Sequence, residues 1–190
     1  MTNDCRGLAV TDATPEMVAA LEECHLQALA FYGDPVASCD LILREHPQFI
    51  MALCFKGAML SQAMETRIYN DFVETVRRAE ALSDKANTRE LGHIAALRSW
   101  LDGDFHGAVQ KWEEVATAYP FDLLAIQLVH LSDTLLGDIV GQRDSVARAF
   151  PLWDESVPGF EFILGFYSFG LEENNDYYRA GQMANQALSI

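Results

Sequence analysis

The chain has 190 residues, of which 50% are hydrophobic, and this is enough to bury the core of one domain or one short repeat array. Its formal net charge of −15 argues against nucleic acid as a partner, because binding phosphates requires clustered Lys and Arg. The same charge argues against binding to an anionic membrane surface and favours a basic partner. No apolar run approaches the roughly 20 residues of a membrane-spanning helix.

The cysteines form no CxxC pair, and no second cluster completes a zinc site. The four are Cys5, Cys24, Cys39 and Cys54. The last three lie on apolar helical patterns, so we expect reduced, partly buried thiols in a cytoplasmic protein. Residues 1–13 are predicted to be a polar tail, because they include acidic residues and lack the apolar segment of a signal peptide.

From Thr14 onward, apolar residues mostly recur at helical spacing, and runs of β-branched residues are scarce. The triplet Thr14-Pro15-Glu16 indicates a helix start, because proline is favoured in the first turn. The pattern predicts about ten helices, at residues 15–31, 35–45, 48–64, 68–83, 88–101, 105–118, 122–136, 140–149, 159–172 and 176–189. The connecting loops are short, which makes sequential helices antiparallel neighbours.

Two stretches of the chain share one spacing of small residues. At the eighth and twentieth positions stand Ala96 and Ala108 in a unit that begins at Arg89, and Ser168 and Ala180 in a unit that begins at Glu161. A Gly-Asp or Asn-Asp turn separates the two positions in each unit, and Pro120 closes the first unit. This is the tetratricopeptide pattern of roughly 34 residues, in which small residues let two antiparallel helices approach closely.

The sequence therefore predicts an all-α fold of antiparallel helical hairpins, stacked as a right-handed tetratricopeptide-type superhelix over residues 14–190. Trp112, at the twenty-fourth position of the first unit, is predicted to be a packing residue between hairpins. Other units are weaker, with Gly57 in a small-residue position and an irregular pattern between Phe121 and Pro151.

Several blocks of the chain also resemble a known family in the same order. The blocks are HPQFIMALCFKG at 46–57, TRELGHIAALRSWLDGDFHGAVQKWEEV at 88–115, RDSVARAFPLW at 143–153 and FYSFGLEENNDYYRAGQMANQALSI at 166–190. They resemble the tetratricopeptide repeat protein 38 family, and the likeness extends over nearly all of the chain beyond about Thr14. The resemblance implies a helical solenoid without an established catalytic activity. Members are much longer, so the chain is expected to be the N-terminal portion of such a protein, or a shortened form.

Binding of a protein or peptide in the concave groove of the array is the first functional hypothesis. The candidate groove residues are Glu90, His93, Leu97, Trp100, Gln127, His130, Leu131, Phe162 and Phe169. Acidic side chains such as Glu90 favour a basic ligand. The last helix would bury its apolar face on a following repeat, so a homodimer through this uncapped C-terminal helix is also expected.

The alternative is a small-molecule-binding protein or an enzyme with a pocket around His93, His130 and Asp133. First helices of adjacent repeats line the same groove, so the two imidazoles are expected to approach each other. Asp133, one turn after His130, could orient its ring. The sequence contains no HExxH, Gly-rich phosphate loop or GxSxG motif, and it therefore predicts no metal, no cofactor and no assigned catalytic residue.

Overall fold

The computed structural model describes residues 2–63 and 65–190. It contains ten α-helices in this part of the chain, numbered α1 to α10. They are Pro15–Leu29, Pro35–Glu45, Ile50–Ala63, Tyr69–Glu80, Thr88–Leu101, Phe105–Ala118, Leu123–Leu136, Ile139–Ala149, Phe160–Glu173 and Tyr177–Ala187. The prediction of an all-helical chain is confirmed, and α2, α5 and α6 have the predicted bounds. Within the described ranges, none of the helices combines the length and hydropathy needed to cross a bilayer.

The N-terminal segment differs from the polar tail predicted for residues 1–13. Two short strands form an antiparallel pair, β1 Thr2–Asn3 with β2 Ala9–Val10. The Asp4 carboxylate closes the turn between them, because it accepts hydrogen bonds from the backbone N–H groups of Arg6 and Leu8 at 3.0 and 2.9 Å. A side chain that bonds its own downstream backbone is a common way to fix a tight turn.

Short polar side chains cap most of the helices, as local physical chemistry predicts. The N-cap side chains that accept a backbone N–H are Thr14, Asp34, Asn87, Asp122, Asp138 and Asp176. Each cap satisfies one of the amide groups that lack an intrahelical partner, which stabilises a helix by about 1 kcal/mol. These caps account for the agreement between predicted and observed helix starts.

The chain divides into two compact units, residues 1–111 and 112–190, and the division falls within α6. In the first unit, consecutive helices from α1 to α5 pack on one another, and α3 also packs on α5. A methyl group added at Gly57 of α3 would lie 2.8 Å from Cδ1 of Leu97 on α5. Gly57 thus permits the close approach that the repeat pattern assigned to this position.

The second unit repeats this arrangement in α7 to α10, each of which packs on the next. The Ser168 hydroxyl of α9 donates a hydrogen bond to the Ala180 carbonyl oxygen of α10 at 2.9 Å. These are the two small-residue positions predicted to lie at the crossing of the hairpin. Trp112 is fully buried, as expected for a packing residue.

Candidate functional site

Four of the predicted groove residues lie on α5 and are buried. Exposed fractions are 0% for Glu90, 1% for His93, 1% for Leu97 and 6% for Trp100. Their burial corrects the expectation of an open binding surface along this helix. The physical reason is that α5 packs on both α3 and α4, so the side predicted to face a groove is covered by helices of the same unit.

Glu90 has a structural role at the start of α5. One carboxylate oxygen accepts the backbone N–H of Thr11 and the other accepts that of Asn87, each at 3.0 Å. The Asn87 side chain in turn accepts the N–H of Glu90, which completes a capping box. Glu90 therefore joins the N-terminal hairpin to α5, and its charge is not offered to a ligand.

The remaining predicted groove residues lie in the second unit and differ in exposure. Gln127 and His130 are buried, Leu131 and Phe162 are half-buried, and the Phe169 ring is 40% exposed. The His130 imidazole lies 4.9 Å from the Phe166 ring and 5.7 Å from the Phe169 ring, between centroids. These contacts place α7 beside α9, two helices that are separated in the chain by α8.

The Nε2 atom of His130 faces an amide and not a carboxylate. Its Nε2 lies 3.5 Å from Nε2 of Gln142, which also donates to the Thr134 hydroxyl oxygen at 2.5 Å. Its Nδ1 is buried without a hydrogen-bond partner in the part of the chain that the structure describes. Burial lowers the pKa of His130 to about 4, so the ring is neutral near pH 7. A neutral ring between two aromatic side chains acts chiefly as a packing residue.

Asp133 is 4% exposed, and its carboxyl is a weaker acid than an ordinary aspartate because its pKa is raised. Burial raises its pKa to about 7, and the charges of Asp138 and Glu113 add to the increase, whereas Arg148 opposes it. The expected orientation of His130 by Asp133 is absent from the hydrogen bonds of the described residues, where the imidazole meets Gln142 instead.

The three residues of the alternative pocket are all buried. His93 is a buried residue of the first unit, and His130 and Asp133 belong to the second. In residues 2–63 and 65–190, no group of three or more His, Cys, Asp and Glu side chains is arranged to hold a metal ion. A small-molecule site or an enzyme at these residues stays an untested alternative.

The last helix, α10, leaves most of its surface accessible. Ala180 is its one buried residue, and four apolar or aromatic side chains at or near its ends are exposed by more than half: Tyr177, Tyr178, Leu188 and Ile190. A helix that packs along one side only retains a second surface for another contact.

Sequence reasoning did not identify two neighbours of His130, Phe166 of α9 and Gln142 of α8. One signal was available in the sequence: Thr134 follows His130 by four residues, so the two share a helix face, and both contact Gln142. No family model matches the sequence.

Proposed function

We propose that the chain is a protein-interaction module made of tetratricopeptide-type helical hairpins, similar to the tetratricopeptide repeat protein 38 family. Two contacts support this proposal. The Ser168 hydroxyl meets the Ala180 carbonyl at the crossing of one hairpin, and His130 of α7 meets Phe169 of α9, the first helices of successive hairpins. A stacked array of hairpins requires both kinds of contact, one within a hairpin and one between hairpins.

The proposed binding surface is the α7/α9 face, defined as Leu131, Phe162 and Phe169. The main evidence for this surface is the Phe169 ring, which is 40% exposed although it contacts the buried His130 ring. A partly exposed aromatic ring on a rigid support is the type of residue that contributes most to interface affinity. The ligand is a peptide or helix with an apolar anchor, and the net charge of −15 favours basic residues around that anchor.

A matched pair of variants tests this surface in the full chain. Peptides selected from a random displayed library for binding to the wild type are measured against Phe169→Asp and Tyr178→Asp. Tyr178 lies outside the face, on α10, and is 76% exposed. We expect Phe169→Asp to raise the Kd at least about tenfold, equivalent to about 1.4 kcal/mol, and Tyr178→Asp to leave it unchanged.

Two outcomes contradict the proposal. One is that no peptide binds the wild type saturably, and the other is that both variants bind the selected peptides as the wild type does. Circular dichroism of both variants verifies that neither substitution has unfolded the chain. An excess of Lys and Arg in the selected peptides supports the expected basic ligand, whereas an acidic consensus rejects it.

We further propose a cytoplasmic location and a homodimer through α10. Cys24, Cys39 and Cys54 are buried cysteine side chains in the reduced form, which suits a reducing compartment. Leu188 and Ile190 are exposed by 87% and 57%, and a second copy would cover them. Light scattering at high protein concentration is expected to give twice the mass of the chain for the wild type. The Leu188→Asp variant is expected to give the mass of a single chain. A strictly monomeric wild type rejects the dimer.

A further inference from the structure

The first unit contains a cavity of about 300 Å³. It lies at the end of α3, beside the turn Thr66–Ile68, the start of α4, the end of α5 and the start of α6. Its apolar and aromatic walls include Leu60, Ile68, Tyr69, Phe72, Trp100 and Phe105. Neither the repeat architecture nor the α7/α9 face requires an opening at this position.

Aromatic side chains form much of the wall. The Trp100 and Phe105 rings meet edge to face with centroids 4.9 Å apart, and Trp100 is 6% exposed. Phe72 is buried, and Tyr69 is 53% exposed at the opening. Aromatic rings that are held in place by packing favour offset-stacked or edge-to-face contact with an aromatic ligand.

The polar groups at the wall are largely engaged with the protein. The Ser61 hydroxyl donates to the Ala58 carbonyl oxygen at 2.7 Å, and the Glu65 carboxylate is paired with Arg67. Tyr69 lines the cavity and its side chain is exposed, so its hydroxyl is accessible to a ligand. Because no unpaired charge faces the cavity among these groups, a charged ligand would lose its hydration without compensation.

We propose that this cavity is a binding site for a small, neutral aromatic molecule that carries one hydrogen-bonding group. The volume is at the lower limit for small-molecule sites, which span about 300–1,000 Å³. It is too small for an α-helix, whose diameter with side chains is about 10–12 Å. The aromatic portion lies against Trp100 and Phe105, and its polar group is directed to the Tyr69 hydroxyl. This inference is independent of peptide binding at the α7/α9 face.

The test uses 2-naphthol as the probe and titrates it into the full chain by calorimetry. Thr66 is an exposed residue of the cavity wall, so Thr66→Trp adds an indole at the opening with little expected cost to folding. Thr88 is also exposed and lies at the opposite end of α5 from Trp100, which makes Thr88→Trp the matched control. We expect saturable binding to the wild type, at least about tenfold weaker binding to Thr66→Trp and an unchanged affinity for Thr88→Trp.

Charged probes of similar shape test the ligand class. We expect 2-naphthoate and 1-naphthylmethylammonium to bind at least about tenfold more weakly than 2-naphthol, because the wall offers neither ion a partner. The proposal is overturned if 2-naphthol fails to saturate the wild type, or if it binds Thr66→Trp as tightly as the wild type. Tighter binding of either ion overturns the assignment of a neutral ligand.

Discussion

Two glycines of the same helix are predicted to respond oppositely to the same substitution. Gly170 and Gly165 both lie within α9, in the second unit. A Cβ added at Gly170 would lie 2.8 Å from Cα and 3.2 Å from the backbone nitrogen of Arg143 on α8. A Cβ added at Gly165 would meet nothing within 4 Å. Both residues are helical, so alanine offers each site the same gain in helix propensity, about 1 kcal/mol.

The magnitudes follow from these distances. At Gly170 the obstacle is backbone, which cannot rotate away, so α8 and α9 must separate and the overpacking cost is near 3 kcal/mol. After the propensity gain, we expect Gly170→Ala to lower the free energy of unfolding by about 2 kcal/mol and Gly165→Ala to raise it by up to about 1 kcal/mol. For a chain of this size the corresponding shifts in Tm are roughly 4–8 °C downward and 2–4 °C upward.

Thermal and urea unfolding followed by circular dichroism measure both variants against the wild type. Because the two glycines share one helix and one unit, any uncoupling of the units affects both variants alike. A Gly170→Ala variant as stable as Gly165→Ala would show that α8 and α9 do not approach closely at this point. The assignment of small residues to helix crossings would then fail for the second unit.

Three further predictions concern buried polar groups. As pH rises from 4 to 8, the stability of Asp133→Asn relative to the wild type is expected to increase by up to about 4 kcal/mol. The pKa of Asp133 is raised from 3.8 to about 7 in the folded chain, so the wild type loses stability as pH rises above 3.8, whereas the amide does not titrate. A flat difference curve from urea unfolding across this range contradicts the prediction. Lys56→Met is expected to lower the free energy of unfolding by about 1–2 kcal/mol. The Lys56 ammonium nitrogen lies 2.7 and 2.8 Å from carboxylate oxygens of the half-exposed Asp40 and Asp71, and methionine would remove both ion pairs. An unchanged urea midpoint would show that these ion pairs contribute nothing to stability. Glu90→Gln is expected to lower the free energy of unfolding by about 2 kcal/mol and to speed hydrogen exchange in the N-terminal hairpin. The reason is that the single oxygen of the amide cannot replace the two carboxylate oxygens that accept the N–H groups of Thr11 and Asn87. Unaltered exchange in the hairpin argues against the role of Glu90 in joining the hairpin to α5.

The sequence was sufficient for the helices and for one hairpin crossing, because both depend on local patterns. Capping residues such as Asn87 and Asp122 mark helix starts within a few residues of chain. The contact between Ser168 and Ala180 agrees with the predicted spacing of small residues. These features require no knowledge of which distant segments meet.

The features that were not predicted depend on distant segments. The N-terminal strands are two residues long, too short for a recognisable alternation of apolar and polar residues. The repeat pattern places Glu90 in the groove, yet the backbone N–H of Thr11, 79 residues earlier, supplies a partner that allows its carboxylate to be buried. Repeat position identifies the side of a helix, but the exposure of that side depends on which other helices cover it.

The buried polar groups have a common physical role in the placement of helices. Lys56 is positioned by carboxylates on two other helices, and Gln142 by His130 and Thr134 of α7. A one-turn shift would separate these partners and leave buried polar atoms unsatisfied, at a cost of about 1–3 kcal/mol each. We infer that these groups contribute more to the register between helices than to net stability, as polar residues at coiled-coil interfaces do. The Lys56→Met variant distinguishes the two roles: a modest loss of stability together with broadened amide spectra of α2 to α4 indicates lost register, whereas the same loss with sharp spectra indicates a purely energetic contribution.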